Sequence, residues 1–153
     1  MNRIPLWATL IGLAGLLPFL FCGFESLTHE AVWAVPALIG YGAVVLGFLG
    51  GVHWGFALAP DAPASPREVE RARLLLGAAP VLVGWIALLL PSWAGLLALI
   101  GGFVAALVVE SAGHRRSHVP PGYMWLRWVL SVVVVAVLTT VLVLRLIGAT
   151  ILL

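Results

Sequence analysis

The stretch AVWAVPALIGYGAVVLGFLGGVHWGFAL, residues 31–58, decides the fold class of this chain. It contains no aspartate, glutamate, lysine or arginine, and it is longer than the roughly 20 apolar residues that cross a bilayer as a helix. Gly47, Gly51 and Gly55 repeat every four residues, a spacing that lets two helix backbones approach closely in lipid. The stretch therefore predicts a membrane-spanning helix that packs along a glycine face.

The rest of the chain has the same apolar character. Of its 153 residues, 63% are hydrophobic and 9% are charged, whereas a soluble domain has about 25% charged residues. We therefore expect an all-α integral membrane protein that forms one domain over residues 1–153, a bundle of five transmembrane helices. The predicted spans cover about residues 5–24, 32–58, 72–90, 93–110 and 126–150, close to the length that a bilayer requires.

The basic residues predict the orientation of the bundle. The chain has no lysine, and its arginines other than Arg145 precede span 1 or lie between spans 2 and 3 or spans 4 and 5. By the positive-inside rule, the N-terminus is cytoplasmic and the C-terminus is outside. No small-x-small cleavage site follows the first apolar run and no transit peptide precedes it, so we expect a retained first span and a location in the bacterial inner membrane.

Sequence motifs for the common chemistries are absent. There is no phosphate-binding G-x-x-x-x-G-K-S/T, no dinucleotide-binding G-x-G-x-x-G, no zinc-protease H-E-x-x-H and no nucleophile elbow G-x-S-x-G. Cys22 is the only cysteine, which excludes an internal disulfide and argues against a cysteine metal site. The sequence thus predicts no catalytic residue, no metal site and no nucleic acid partner, favours a protein that is not an enzyme, and identifies no cofactor.

Three ionisable residues stand out in or at the ends of predicted spans, where charge is costly and a functional site is the default hypothesis. His53 lies near the cytoplasmic end of span 2, Glu110 ends span 4, and Arg127 begins span 5. The predicted topology places all three at one membrane level. Aromatic residues at the same level suggest a polar pocket with an aromatic rim. The candidate ligand-binding residues are His53, Trp54, Glu110, Tyr123 and Arg127.

Two interpretations of these residues remain open. In the functional one, Glu110 and Arg127 form a desolvated ion pair that holds His53, and the site binds a proton, a quinone-like head group or a haem propionate. In the structural one, Arg127 only caps Glu110 and anchors the bundle, and His53 donates to a backbone carbonyl.

The glycines of span 2 are predicted to pack helices together. They are Gly47, Gly50, Gly51 and Gly55. Their candidate partners are Gly12 and Gly15 of span 1 and Gly101 and Gly102 of span 4. Packing within one chain and packing between two copies in a homodimer both fit this spacing.

Residues 41–55, YGAVVLGFLGGVHWG, resemble the signature of a family of small five-span membrane proteins of unknown function. This family includes the mitochondrial transmembrane protein 69 relatives of vertebrates. The resemblance extends to the acidic residue that ends span 4, here Glu110 where aspartate is expected, and to the Tyr-x-x-Leu-Arg pattern at residues 123–127. It implies a fold and an inner-membrane location but no activity, so no role transfers to these residues.

The leading functional hypothesis is a non-catalytic accessory or assembly module of a larger membrane protein complex, which contacts membrane lipids and a partner or a second copy. The alternative is a protein that binds or transports a small ligand, namely a tetrapyrrole, a quinone or a lipid. In that case the polar pocket at the cytoplasmic leaflet would hold the ligand.

Overall fold

A computed structural model describes residues 6–27, 31–58, 67–114 and 121–151. Within these residues all regular secondary structure is helical, which confirms the predicted all-helical class. The helices are α1 (Leu6–Ala14), α2 (Leu17–Glu25), α3 (Ala34–Ala57), α4 (Arg67–Leu89), α5 (Ser92–His114) and α6 (Pro121–Ile151).

Three segments of the described chain are long and apolar enough to cross a membrane: Ala34–Gly55, Ser92–Ser111 and Trp125–Gly148. Two further apolar helical segments, Thr9–Glu25 and Leu74–Leu89, are shorter. The chain is therefore a multi-pass membrane protein.

The first apolar run is broken into α1 and α2 by a turn at Gly15 and Leu16. Pro18 lies in the first turn of α2. A proline has no N–H group and its ring clashes with the carbonyl four residues earlier, so one continuous helix cannot pass through it undisturbed. The hydroxyl of Tyr41 donates to the carbonyl oxygen of Gly15 at 2.9 Å. Because hydrocarbon offers no water to an exposed carbonyl, this bond from α3 stabilises the break.

The helices form a closed ring with one contact across its centre. α3 packs against α2 and α4, α4 against α5, α5 against α6, and α6 against α1 and α2, while α3 and α5 meet in the middle. The hydrophobic core lies in the half of the bundle that holds the α2–α3 and α4–α5 connections, here called the core half. The largest fully buried apolar side chains of the described chain are Phe19, Val35, Leu38, Leu46, Leu96, Leu99, Phe103, Leu138 and Val141.

Close packing of α3 against α4 depends on two facing glycines. A Cβ atom at Gly50 would overlap the carbonyl oxygen of Gly77, and one at Gly77 would overlap the indole of Trp54. The indole nitrogen of Trp54 also donates to the carbonyl of Leu74 at 2.9 Å. Further along the seam, a Cβ atom at Gly84 would lie 2.9 Å from the carbonyl oxygen of Ala43. Small residues thus let the two backbones touch.

The other predicted packing glycines of α3 differ from Gly50. A Cβ atom at Gly47 would only reach ordinary contact with Val81, at 3.7 Å. Gly51 and Gly55 are exposed, and a Cβ atom at either would meet no described atom within 4 Å.

The α4 glycines that face α3 are Gly77 and Gly84, which the sequence analysis did not nominate as partners. Of the nominated glycines, Gly102 of α5 faces Leu46 of α3, and Gly15 lies beside the hydroxyl of Tyr41. Gly12 faces α6, and a Cβ atom at Gly101 would meet no described atom within 4 Å.

Candidate functional site

Glu110, Arg127 and His53 meet in the half of the bundle opposite the core half. Arg127 donates from Nε to Glu110 Oε2 at 2.6 Å and from Nη2 to Glu110 Oε1 at 3.0 Å. His53 Nε2 lies 3.3 Å from Glu110 Oε1. The side chains of Arg127 and Glu110 are only 5% and 11% exposed, and that of His53 is 22% exposed. We call these three residues the triad.

The connectivity places the triad at one level. Glu110 lies about one turn before the end of α5, and Arg127 lies in the second turn of α6. α5 and α6 are antiparallel neighbours that follow each other in the chain, so both residues lie near the connection between the two helices. His53 lies one turn before the end of α3, which finishes at the same end of the bundle. The contact between α3 and α5 then brings His53 against Glu110.

The geometry of the ion pair suits a buried position. A paired arginine and carboxylate with two parallel hydrogen bonds is among the stronger polar interactions in proteins. Such a pair stays costly to bury unless its remaining polar atoms are also satisfied. His53 supplies a second neighbour for Glu110 Oε1. Since one guanidinium already balances the carboxylate, the triad is neutral overall when the imidazole of His53 is neutral.

A pocket of about 110 Å³ opens beside the triad between α3, α4 and α5. His53 and Glu110 are its ionisable lining residues, and its other walls are apolar or small, among them Leu76, Pro80 and Val83. We call it the triad pocket. Sites that enclose a drug-sized ligand have volumes of about 300–1,000 Å³, so this pocket suits the head group of a molecule but not a whole tetrapyrrole.

The structure separates the five candidate ligand-binding residues. His53 and Glu110 line the triad pocket, whereas Arg127 lines a different cavity behind them. Trp54 is outside the pocket lining and packs on α4. Tyr123 lies in α6, but its side chain is outside the described part of the structure. An aromatic rim is therefore not formed by Trp54, and the ligand-binding role of each residue stays a prediction.

The sequence analysis overlooked Ser131. It lies one turn after Arg127 on the same side of α6, is 2% exposed, and its Oγ has no hydrogen-bond partner among the described residues. The signal that could have revealed it is the spacing of four residues from Arg127, since such residues share a helix face. With Arg127 it lines a cavity of about 340 Å³ between α1, α2, α3, α5 and α6. Among the described residues, no group of three or more His, Cys, Asp or Glu could hold a metal ion.

Fold and site together define a multi-pass helical membrane protein with a buried histidine, glutamate and arginine cluster between two cavities. The profile of a family described as "Protein of unknown function (DUF3429)" matches residues 4–143. The chain belongs to this family.

The chain is also similar to two animal proteins named Transmembrane protein 69. It is 36% identical to the Xenopus tropicalis protein over 91 residues, which cover 58% of this chain and 35% of that protein. It is 37% identical to the Mus musculus protein over 87 residues, which cover 56% of this chain and 34% of that protein. The match thus spans about a third of these relatives, and it confirms the family resemblance inferred from residues 41–55. No solved structure matches the chain.

Proposed function

We propose that this chain is a non-enzymatic, five-span protein that holds the polar head of a small membrane-borne molecule at the triad. The observation that carries the proposal is the position of His53. Arg127 already neutralises Glu110 through two hydrogen bonds, so the ion pair does not need an imidazole for charge balance. His53 nevertheless contacts the carboxylate and lines the triad pocket, where it can bind a guest.

The pocket favours a neutral head group that carries a hydroxyl. The charges of Glu110 and Arg127 cancel, which removes the attraction for a strongly charged guest. When Nε2 of a neutral imidazole donates to the carboxylate of Glu110, its Nδ1 remains as an acceptor for the hydroxyl hydrogen of a guest. The hydroxyl of a reduced quinone or of a glycerolipid meets these conditions, and its apolar tail would remain between α4 and α5.

Binding of a short-tailed hydroquinone to the purified protein under reducing conditions tests this proposal. Equilibrium dialysis in lipid nanodiscs measures the affinity for wild type and for His53→Leu. Because a hydrogen bond contributes about 0.5–1.5 kcal/mol net, we expect His53→Leu to weaken binding about three- to tenfold.

Ser111→Ala is the matched control, because Ser111 follows Glu110 but its hydroxyl donates to Leu107 of its own helix at 2.7 Å. Its affinity should equal that of wild type. Equal affinity in wild type, His53→Leu and Glu110→Gln would refute head-group binding at the triad.

The five-span topology, with a cytoplasmic N-terminus in the bacterial inner membrane, belongs to the same proposal. Cys22 is 7% exposed, so a thiol reagent should give little background in the intact protein. Arg71 and Ser92 are exposed; Arg71 lies near the start of α4, and Ser92 begins α5, just beyond the other end of α4. We expect an impermeant maleimide to label Ser92→Cys from outside the cell and Arg71→Cys only after the inner membrane is opened. Labelling of both from one side would contradict this topology.

A role as an accessory or assembly module is a second candidate, and Gly51 and Gly55 favour it. They lie four residues apart on an exposed face of α3 with no described neighbour, and such a pair lets a further helix approach closely. The occupant we propose is a helix of another membrane protein.

The mass of the assembly extracted in mild detergent at native expression tests this second role. Gly51→Leu should reduce the mass to that of the single chain. Gly40→Leu is the control, because Gly40 is also open but has Pro36 and Val44 at the corresponding spacing. A wild-type protein that already has the mass of one chain, or exactly two copies of it, would contradict a foreign partner.

A further inference from the structure

The cavity of about 340 Å³ behind the triad is a second candidate site, and we call it the Ser131 groove. Its floor is buried and consists mainly of apolar side chains, among them Phe19, Phe103 and Val134. Its mouth carries exposed apolar side chains of α1 and α3: Ile11, Val44 and Phe48. In a multi-pass protein, such a mouth faces the hydrocarbon, so a guest can enter from the membrane.

Ser131 places a hydroxyl group in the apolar lining of this groove. In lipid-exposed helices a hydroxyl usually bonds to a carbonyl one turn earlier, as Ser111 does to Leu107 at 2.7 Å and Thr140 does to Ala136 at 2.8 Å. The Oγ of Ser131 makes no such bond, although the residue is 2% exposed. A buried hydroxyl without a partner is unfavourable, so its retention in the lining of a groove points to a partner from outside the chain.

The size of the groove indicates the size of the guest. Its volume is about twice that of an engineered apolar cavity of roughly 150 Å³ that binds benzene, which corresponds to about a dozen carbon atoms. The lining residues of α6 run from Arg127 to Val134, a rise of about 10 Å at 1.5 Å per residue. A bent aliphatic or isoprenoid segment fits these dimensions.

The charges at the groove indicate the end group of the guest. Arg127 lines the groove, but its guanidinium is held by both oxygens of Glu110. No net positive charge is therefore available to compensate a carboxylate in this apolar surrounding, and burying an uncompensated charge is strongly unfavourable. A neutral hydroxyl or carbonyl oxygen can pair with Ser131 without this penalty.

We propose that the Ser131 groove binds an apolar chain of about a dozen carbons that ends in a neutral oxygen, with this oxygen hydrogen-bonded to Ser131. The groove is separate from the triad pocket, although Leu49 lines both cavities. This site therefore does not depend on head-group binding at His53.

Photolabelling of the full chain in phosphatidylcholine nanodiscs tests the proposal. The probes are dodecanol and dodecanoic acid, each with a diazirine at the same carbon, and the labelled peptides are identified by mass spectrometry. We expect the alcohol to label groove residues of α3 and α6 in a saturable manner and at least about fivefold more than the acid does at about pH 9.5, where the bilayer-bound acid is ionised. Excess unlabelled dodecanol should suppress this labelling.

Two variants with matched controls locate the site. Val45→Phe places a ring in the groove and should abolish saturable labelling, whereas Val132→Phe, on the exposed face of α6, should not. Ser131→Ala should lower the affinity for dodecanol about fivefold, whereas Thr140→Ala should leave it unchanged. Ser131→Ala should also raise the melting temperature of the ligand-free protein, because it removes a buried hydroxyl without a partner. If the hydroxyl of Ser131 had only a structural role, its removal would not both weaken dodecanol binding and raise the melting temperature.

Several results would overturn the proposal. They are labelling that does not saturate, equal labelling by alcohol and acid, and an unchanged affinity in Ser131→Ala. If Val45→Phe does not fold, Ser131→Ala still decides, because it removes a single oxygen atom. His53→Leu should retain the dodecanol labelling, so failure of the triad proposal and failure of this one give different results.

Discussion

Removal of one partner of the buried Glu110–Arg127 pair should destabilise the bundle strongly. Arg127→Met keeps most of the volume of the side chain but leaves the carboxylate of Glu110, which is 11% exposed, without its guanidinium. Breaking a buried ion pair in this way typically costs about 3–5 kcal/mol. We expect a loss of unfolding free energy in this range near pH 8.

The double variant Glu110→Leu with Arg127→Met completes the test. It leaves no unpaired charge, and apolar replacement of a buried pair is often neutral or stabilising by about 1–4 kcal/mol. We therefore expect the double variant to recover most or all of the stability that Arg127→Met alone loses.

Unfolding in mixed detergent micelles with increasing dodecyl sulfate, followed by circular dichroism and tryptophan fluorescence, measures these free energies. Arg145→Met is the control, since Arg145 is exposed on the same helix and surface substitutions usually change stability by less than about 0.5 kcal/mol. The reasoning fails if Arg127→Met costs no more than Arg145→Met. It also fails if the two changes of the double variant are additive within about 0.5 kcal/mol.

Three further predictions concern packing, and the same unfolding assay measures the first two. Gly77→Ala should lower the free energy of unfolding by about 1–3 kcal/mol because its methyl group would overlap the indole of Trp54. Gly55→Ala, which faces open space, should be neutral or slightly stabilising. Equal effects of the two changes would contradict the glycine contact between α3 and α4. Tyr41→Phe should lose about 0.6–1.7 kcal/mol with its bond to Gly15, and no loss would mean that this bond does not stabilise the break between α1 and α2. Cys22 should react with a membrane-permeant maleimide only after unfolding, and rapid reaction in the native protein would contradict its burial.

Much of the candidate site could be predicted from the sequence. The apolar runs and the direction of each predicted helix place His53, Glu110 and Arg127 at one level, because depth in a bundle depends only on the order and length of the segments. Pro18 also marks a break in the first run, since a proline disturbs a helix in any context. Other features could not be predicted from spacing. The sequence grouped Trp54 with the polar residues. In the structure its indole instead packs against α4, where it covers Gly77.

The sequence by itself determined a helical, multi-pass membrane protein, because the hydrophobicity of each segment and the high cost of an unpaired backbone in lipid leave few other folds. Only the tertiary structure decided that Gly50 packs on Gly77 while Gly51 and Gly55 stay open, and that His53 and Arg127 line different cavities. The physical reason is that the rotation of a helix about its axis, and hence the neighbour of each side chain, depends on how the side chains of several helices fit together. Hydropathy along the chain determines depth and leaves this rotation open.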